Sequence, residues 1–292
     1  MGRRQHLEQT LLKNIEDNLP TKDGDPSVEF VLVDYNSKDG LEDWVKNNPA
    51  LKPYLEDGTL VYARHPDATH FHHAHAKNMA HRLATGDVVC NLDADNYTGA
   101  GFARYLANEF AGGKAVIVHP AFSMSKNAKD EERGFFGRIA LRREDFLALG
   151  GYSETRFKKG WGYEDTDLIV RALGYGLEPR PMFRADFVKV VPHSDEDRVK
   201  HTAGGVSADA VKKIHSVNTG FIKHISFAFN VCAAPVQANK GRHFGEGKIC
   251  GIDGTERVIG AAKLLAKISK LGIRGLLLLK KDYEIKAPGY NA

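Results

Sequence analysis

The stretch Val88-Val-Cys-Asn-Leu-Asp-Ala-Asp-Asn96 decides the fold, because it joins an apolar segment to a cluster of carboxylates. Residues 88–92 are short, β-branched and bounded by polar residues, which predicts a buried strand. Asp93 and Asp95 follow directly, at the kind of strand end where open α/β sheets bind ligands. Carboxylates with few thiols nearby suit a hard cation such as Mg²⁺ or Mn²⁺, and such a cation suits a diphosphate.

A second acidic motif follows about seventy residues later, in Gly160-Trp-Gly-Tyr-Glu-Asp-Thr-Asp167. It predicts a glycine-bounded loop followed by a helix whose first turn carries Glu164, Asp165 and Asp167. Acidic residues in a first turn also interact favourably with the helix dipole, and we assign Asp167 to that role. Two crowded carboxylates raise the pKa of one of them, which suits a base that takes a proton from an alcohol.

Strand and helix patterns alternate along the first two thirds of the chain, which predicts an α/β fold with a mostly parallel sheet and helices on both faces. We divide the chain into a catalytic domain, residues 1–200, and a C-terminal extension, residues 201–292. The predicted strands are 28–33, 59–63, 88–92, 115–118 and 136–141, and the predicted helices are 7–15, 41–48, 73–84, 101–110 and 143–149.

The composition is that of an ordinary soluble protein, with 292 residues, 42% hydrophobic and 27% charged. No apolar run approaches the roughly 20 residues that span a bilayer, and the first residues lack the apolar core of a signal peptide. Three scattered cysteines favour neither a disulfide framework nor a zinc site. The sequence therefore predicts a cytoplasmic protein.

The net charge of +4 conceals an asymmetry. Residues 200–292 carry 15 Lys and Arg against 6 Asp and Glu, a net charge of +9, whereas residues 1–199 carry −5. Apolar residues interleaved with lysines in the segment 257–281 predict a basic helix. That helix either lies on an anionic membrane surface or packs on the catalytic body, and two glycines within it favour packing.

The motifs together resemble the GT-A-fold glycosyltransferases of family 2, with a second half similar to beta-1,4-galactosyltransferases and bacterial chondroitin-type polymerases. The resemblance covers roughly residues 1–200 and depends on the order and spacing of several short motifs. Those motifs are Val33-Asp-Tyr-Asn-Ser-Lys-Asp-Gly40, Ala76-Lys-Asn-Met-Ala80, Ala84-Thr-Gly-Asp87, Asn91-Leu-Asp-Ala-Asp95, Gly150-Gly-Tyr152 and Gly160-Trp-Gly-Tyr-Glu-Asp165.

The resemblance implies transfer of a sugar from a UDP-sugar to an acceptor hydroxyl with inversion, in polysaccharide biosynthesis, using Mn²⁺ or Mg²⁺. It implies Asp95 as a metal ligand, Asp93 on ribose or metal-bound water, and His193 as a further metal ligand. Asp165 is the implied base and Glu164 an implied acceptor ligand. The implied donor-side residues are Asp34, Ser37, Lys77, Asn78 and Trp161, whose ring offers a face for sugar stacking.

The amino-terminal segment departs from the resemblance. Members of the family begin with a β-strand that carries the start of the nucleotide pocket, whereas this chain begins with an amphipathic helix, and residues 1–6 cannot serve as that strand. We therefore expect a central strand to be missing or to lie upstream. Its loss would leave the backbone edges of neighbouring strands unpaired.

Two other functions stay open at this point. One is a catalytically impaired module that binds a sugar nucleotide or a glycan, which the missing strand favours and the retention of Asp95 and Asp165 disfavours. The other is a sugar-nucleotide pyrophosphorylase, which would need a basic, glycine-rich phosphate loop near the amino terminus. The sequence contains no such loop, and only the missing amino-terminal segment keeps this alternative open.

Overall fold

The computed structural model describes residues 1–121, 134–157, 162–203, 207, 209, 238–239 and 244–260. Helices and strands alternate through the first 182 residues, and the last two strands lie near the carboxyl end of the described region. The helices are α1 Arg4–Glu16, α2 Leu41–Asn47, α3 Lys52–Glu56, α4 His73–Leu83, α5 Phe102–Phe110, α6 Arg143–Ala148, α7 Glu164–Tyr175 and α8 Asp195–Val199. The strands are β1 Phe30–Asp34, β2 Leu60–Arg64, β3 Val88–Cys90, β4 Val116–Pro120, β5 Ala140–Arg142, β6 Glu178–Met182, β7 Gly247–Gly251 and β8 Glu256–Ile259.

The strands form two four-stranded sheets, in the orders β1-β2-β7-β8 and β3-β5-β4-β6. The α/β class predicted from the sequence is confirmed, but the sheets are mixed. Among the described strands only β1–β2 and β4–β6 pair in parallel, and the other four pairs are antiparallel. The prediction of a mostly parallel sheet was therefore wrong for these residues, because β5 inserts antiparallel between β3 and β4 and because β7 and β8 form a hairpin.

Helix α4 begins where the sequence has a cluster of histidines. The Nδ1 atom of His72 accepts a hydrogen bond from the backbone N–H of His75 at 3.1 Å, which satisfies one of the unpaired donors of the first turn. His73 lies in the wall of the main cavity. These histidines thus begin a helix and line a cavity.

Helix α7 begins after two left-handed residues, Gly162 at φ +90° and Tyr163 at φ +72°. Such a backbone is strained at a tyrosine and points to a position that the surrounding structure holds firmly. Asp167 in the first turn is buried and bonds to Arg156 at 2.9 Å and to Arg171 at 2.8 Å. Arg171 in turn donates to the carbonyl of Gly151 at 2.7 Å. Asp167 therefore fastens α7 to that glycine turn, which agrees with its assignment to structure rather than to chemistry.

The described part of the C-terminal extension is an integral part of the first sheet. Strand β7 pairs antiparallel with β2, and β8 pairs with β7. Residues 257–259 belong to β8, so the prediction that a helix starts at Arg257 was wrong, because these residues form a hairpin with β7. The remainder of the predicted basic helix, residues 261–281, lies outside the described residues, and in the described part no helix is long and apolar enough to span a bilayer.

Two strands that flank the site stand at the edges of their sheets. Among the described residues, β1 pairs with β2 alone and β3 pairs with β5 alone.

Candidate active site

A single cavity of about 1190 Å³ contains both acidic motifs. It lies at the carboxyl ends of β1 and β3, the position that the sequence predicts for a ligand site. Six of the predicted site residues line it, namely Lys77, Asp93, Asp95, Glu164, Asp165 and His193. Residues separated by more than 110 positions in sequence thus meet in one place.

Asp95 is held against the segment before α8. Its backbone carbonyl accepts a hydrogen bond from Val191 N–H at 2.7 Å, and its Oδ2 atom is in direct contact with Nε2 of His193. Burial by itself would raise the pKa of Asp95, but the hydrogen bond and charge of His193, with Arg3 and Arg198, hold it below its ordinary value. The predicted pair of metal ligands is therefore brought together.

Asp93 faces the loop before β5. Its Oδ1 atom accepts a hydrogen bond from Asn91 Nδ2 at 3.1 Å, and the same amide donates to the carbonyl of Gly137 at 2.9 Å. A Cβ atom built on Gly137 would lie 2.7 Å from Asp93 Oδ2 and 3.3 Å from Asp165 Oδ2. The two carboxylates therefore converge on one glycine, which leaves the space between them open.

Lys77 of α4 bridges the acidic pair at the start of α7. Its Nζ atom donates to Glu164 Oε1 at 2.9 Å and to Asp165 Oδ1 at 2.7 Å, and it lies 5.2 Å from the centre of the Tyr152 ring. All three charged side chains are largely buried. One ammonium thus faces two carboxylates, so one of the negative charges in this group is left uncompensated.

The pKa values of Glu164 and Asp165 shift in opposite directions. For Glu164, burial is outweighed by Lys77 and His73, which lower its pKa to about 2. For Asp165, burial together with the charges of Glu164 and Asp93 outweighs Lys77 and raises the pKa to about 7. Asp165 is therefore the member of the pair whose protonation changes near neutral pH, which is the property required of a general base.

Three of the predicted donor-side residues use their polar atoms within the protein. Asp34 is buried, and its carboxylate accepts from Tyr62 Oη and from Ser37 N–H, each at 2.8 Å. The hydroxyl of Ser37 accepts from Gly2 N–H at 3.0 Å. The Asn78 side chain bonds to both backbone groups of Tyr152 and to Glu154. Their direct contact with a donor stays a prediction, and Trp161 lies outside the described residues.

The sequence did not predict a role for Arg138, which contacts the Asp-x-Asp motif through Asn96. Arg138 Nη2 donates to Asn96 Oδ1 at 3.0 Å, and Asn96 Nδ2 donates to Asp95 Oδ1 at 2.9 Å. Its Nε and Nη1 atoms are buried without a hydrogen-bond partner among the described residues, and burial lowers its pKa to about 10. The sequence signal that could have identified Arg138 is a single arginine within the otherwise apolar segment 135–141.

The chemistry of the site suits a divalent cation, although the ligands are not pre-assembled. Buried carboxylates outnumber the basic groups that touch them, and burial raises the pKa of Asp93, which indicates unmet negative charge. Within the described ranges, however, no group of three or more His, Cys, Asp or Glu side chains stands close enough to enclose a metal ion. A cation here would depend on a bound ligand for part of its coordination.

We expect Gly137→Ala to damage the site far more than Gly134→Ala, its matched control. A Cβ at Gly137 would push on Asp93 at 2.7 Å, whereas one at Gly134 meets no atom closer than 3.7 Å. Because displacing reacting groups by about 1 Å can cost roughly 10²-fold in rate, any turnover at this site should fall by about that factor in Gly137→Ala. Thermal melting would verify that both variants are folded. Equal rates in the two folded variants would show that Gly137 is not part of the site.

The site combines two carboxylates at the end of β3, suited to a cation, with a second acidic pair at the start of α7. Residues 118–202, which include Glu164, Asp165 and His193, match the family model described as the N-terminal domain of galactosyltransferase. The match covers 85 of the 292 residues and supports the resemblance of this part of the chain to galactosyltransferases. Among curated proteins, no relative matches the chain.

Solved glycosyltransferase structures are similar to the chain at low identity. Mannosyltransferase PcManGT from Pyrobaculum calidifontis, in complex with GDP-Man and Mn²⁺, is 21% identical with a TM-score of 0.49. That match covers 78% of this chain, which spans only 61% of the mannosyltransferase. The catalytic domain of Drosophila beta1,4galactosyltransferase 7 with xylobiose is 20% identical with a TM-score of 0.39, over 65% of this chain and 80% of that one. A mutant of the same enzyme with manganese, UDP-Gal and xylobiose is 19% identical with a TM-score of 0.38, over 64% of this chain and 79% of that one.

Proposed function

We propose that this protein is a metal-dependent glycosyltransferase that moves a sugar from a UDP-sugar to an acceptor hydroxyl with inversion of the anomeric configuration. The observation that carries the proposal is the convergence of two separate carboxylate groups in one cavity. Asp93 and Asp95 lie at the end of β3, Glu164 and Asp165 lie at the start of α7, and Asp93 and Asp165 both lie next to Gly137.

The first group is suited to the donor diphosphate. Asp95 and His193 would hold a Mn²⁺ or Mg²⁺ ion, and Asp93 would bind the ribose or a water on the metal. When bound, such an ion stabilises the negative charge of the departing nucleoside diphosphate. Asn96 donates a hydrogen bond to Asp95 Oδ1, and Arg138 donates to Asn96. These two residues therefore hold the Asp95 carboxylate in place.

The second group is suited to the acceptor. Asp165 would take the proton from the attacking hydroxyl, since its raised pKa matches that task near neutral pH. Glu164, which stays ionised, would accept a hydrogen bond from another hydroxyl of the acceptor. Lys77 holds both carboxylates in position and balances one of their charges.

A combined binding and turnover measurement tests this proposal. UDP should raise the melting temperature when Mn²⁺ or Mg²⁺ is present and not in a chelator, because the phosphates complete the coordination of the cation. A panel of nucleotide sugars should then reveal metal-dependent hydrolysis and identify the donor. An equal thermal shift with and without metal, together with no hydrolysis of any donor, would overturn the proposal.

The unpaired edges of β1 and β3 favour a second candidate, a module that binds a sugar nucleotide or a glycan without turning it over. The same panel separates the two functions. Metal-dependent binding of UDP with no hydrolysis or transfer would support the binding module, whereas measurable turnover that Asp165→Asn abolishes would support the enzyme.

The pH dependence of turnover should report on Asp165. Since its pKa is raised to about 7, the basic form is present above that pH and is lost as the pH falls through it. We therefore expect kcat/KM to rise with pH through about 7 and then to level off. Lys77→Met should move this rise to higher pH, because the variant removes the ammonium that favours the ionised carboxylates. An identical pH profile in both proteins would show that the group that titrates is not Asp165.

We further propose that the protein acts in the cytoplasm in polysaccharide biosynthesis. The basic C-terminal segment either packs on the body or contacts the inner face of a membrane as a peripheral element. Cosedimentation with anionic vesicles that salt abolishes would support membrane contact, and no binding by the full chain would support packing.

A further inference from the structure

The short helix α8 carries an arginine whose hydrogen-bond donors are unused. The Arg198 side chain is only 9% exposed, yet it donates no hydrogen bond to any described residue, and its Nε atom is buried without a partner. Asp195 Oδ1 lies 3.3 Å from that Nε atom, but without the geometry of a hydrogen bond. A buried guanidinium with unused donors is costly, so a ligand that accepts from it would stabilise the site.

The guanidinium of Arg198 faces the main cavity beside Asp95. A Cβ atom built on Gly134 would lie 3.7 Å from both Nη1 and Nη2 of Arg198 and 3.8 Å from Asp95 Oδ2. Gly134 is itself held at this place, because its carbonyl accepts a hydrogen bond from Asn96 Nδ2 at 3.0 Å. The charged ends of Arg198 and Asp95 therefore lie beside the same glycine.

Other basic groups lie close to Asp95. His193 contacts its carboxylate directly, and Arg3 lines the same cavity. Burial lowers the pKa of Arg198, the charges of Asp95 and Asp195 oppose that shift, and the charge of Arg3 adds to it. Two guanidinium groups thus repel each other within this part of the cavity, and an anion bound there would relieve that repulsion.

We propose that Arg198 binds the diphosphate of the nucleotide donor and makes metal binding at Asp95 depend on that diphosphate. The inference rests on the proposed function, because Asp95 belongs to the proposed donor site. A guanidinium presents its N–H donors in a planar fork that matches the oxygens of a phosphate group. Arg198 therefore adds to the site a direct ligand of the donor that is not a metal ligand.

The position of Arg198 gives it two opposite effects on binding. Its positive charge disfavours a free divalent cation on Asp95 and His193, since like charges repel each other. A bound diphosphate removes that repulsion, because its oxygens accept from Arg198 and also complete the coordination of the cation. Arg198 should thus weaken binding of the cation alone and strengthen binding of the diphosphate.

The same arrangement favours a diphosphate over a monophosphate. In a nucleoside monophosphate, one phosphate group must serve both the cation and Arg198. The two phosphate groups of a nucleoside diphosphate can divide between them. Arg198 is therefore a residue that determines specificity for the diphosphate.

Calorimetric titration of three variants tests the proposal. Arg198→Gln removes the charge, and Arg198→Lys keeps the charge but loses the planar fork. Arg257→Gln makes the same change of charge at an exposed position of β8 and is the matched control. Each protein would be titrated with Mn²⁺ alone and then, at saturating Mn²⁺, with UDP, UMP and inorganic pyrophosphate. Thermal melting would verify that each variant is folded.

The expected effects of Arg198→Gln have opposite signs. Mn²⁺ alone should bind roughly threefold more tightly or better, because a nearby positive charge is removed. UDP and pyrophosphate should bind roughly 10–100-fold more weakly, the usual value of hydrogen bonds from a charged group. UMP should lose less affinity, so the preference for UDP over UMP should shrink. Arg198→Lys should bind Mn²⁺ alone like the original protein and the diphosphates with intermediate affinity, and Arg257→Gln should match the original protein throughout.

Unchanged affinity of Arg198→Gln for UDP and pyrophosphate would overturn the proposal. Weaker binding of Mn²⁺ alone by this variant would also overturn it, because Arg198 would then only support Asp95. A failure of the proposed function gives a different pattern: no nucleotide sugar is turned over, while pyrophosphate binds and depends on Arg198. Metal-dependent turnover by Arg198→Gln with unchanged UDP affinity would refute the role of Arg198 alone, and no binding of UDP or pyrophosphate by the original protein would refute both.

Discussion

Asp165→Asn should lower sugar transfer by roughly 10²–10⁴-fold, the usual contribution of a positioned base, and should leave UDP affinity nearly unchanged. The substituted amide keeps the size of the side chain and can still bond to its neighbours, but it cannot accept the proton. Asp165 touches Lys77 and is assigned to the acceptor, whereas the donor diphosphate is assigned to the end of β3. Initial rates and UDP titration by calorimetry would measure both effects.

Glu164→Gln is the matched comparison for Asp165→Asn. At a pH well above 7, where Asp165 is ionised, both variants remove one negative charge from the pair that Lys77 bridges, so electrostatic effects on Lys77 are similar in the two. Glu164→Gln should weaken the acceptor and lower the rate less. Transfer by Asp165→Asn at near the original rate would mean that the acidic pair is only a charged helix start. A product that keeps the anomeric configuration of the donor would also remove Asp165 from the role of base.

The local elements were predictable because each has its own signal in the sequence. The apolar spacing of α1 and the β-branched residues of β1 and β3 predict elements close to those in the structure. The strand order could not be predicted in the same way, since pairing depends on residues far apart in the chain. Strand β7 pairs with β2, which lies more than 180 residues earlier in the chain, and no local sequence pattern predicts that contact.

The site was predictable in its composition but not in its connections. Asp95 and His193 meet as the resemblance implies, and Glu164 and Asp165 share the cavity with them. The bridge from Lys77 to both acidic residues, and the support of Asp95 by Arg138 through Asn96, depend on side-chain directions that only the fold determines. Asn78 shows the same limit, because its amide is directed into the turn at Tyr152.

Asp95→Asn should impair donor binding and turnover together, in contrast to Asp165→Asn. Asp95 is the carboxylate in contact with His193, and replacing it by an amide removes one charge from the proposed cation site while preserving the side-chain shape. In the original protein, UDP with Mn²⁺ at about 100 times Kd should stabilise the fold by roughly 2.7 kcal/mol. In Asp95→Asn that stabilisation and the metal-dependent hydrolysis should both be largely lost. Asp57→Asn, which makes the same change at an exposed loop position, is the control and should retain both. If Asp95→Asn kept the Mn²⁺-dependent thermal shift, the metal would have to be assigned to other residues, and the proposed division between a donor group on β3 and an acceptor group on α7 would fail with it.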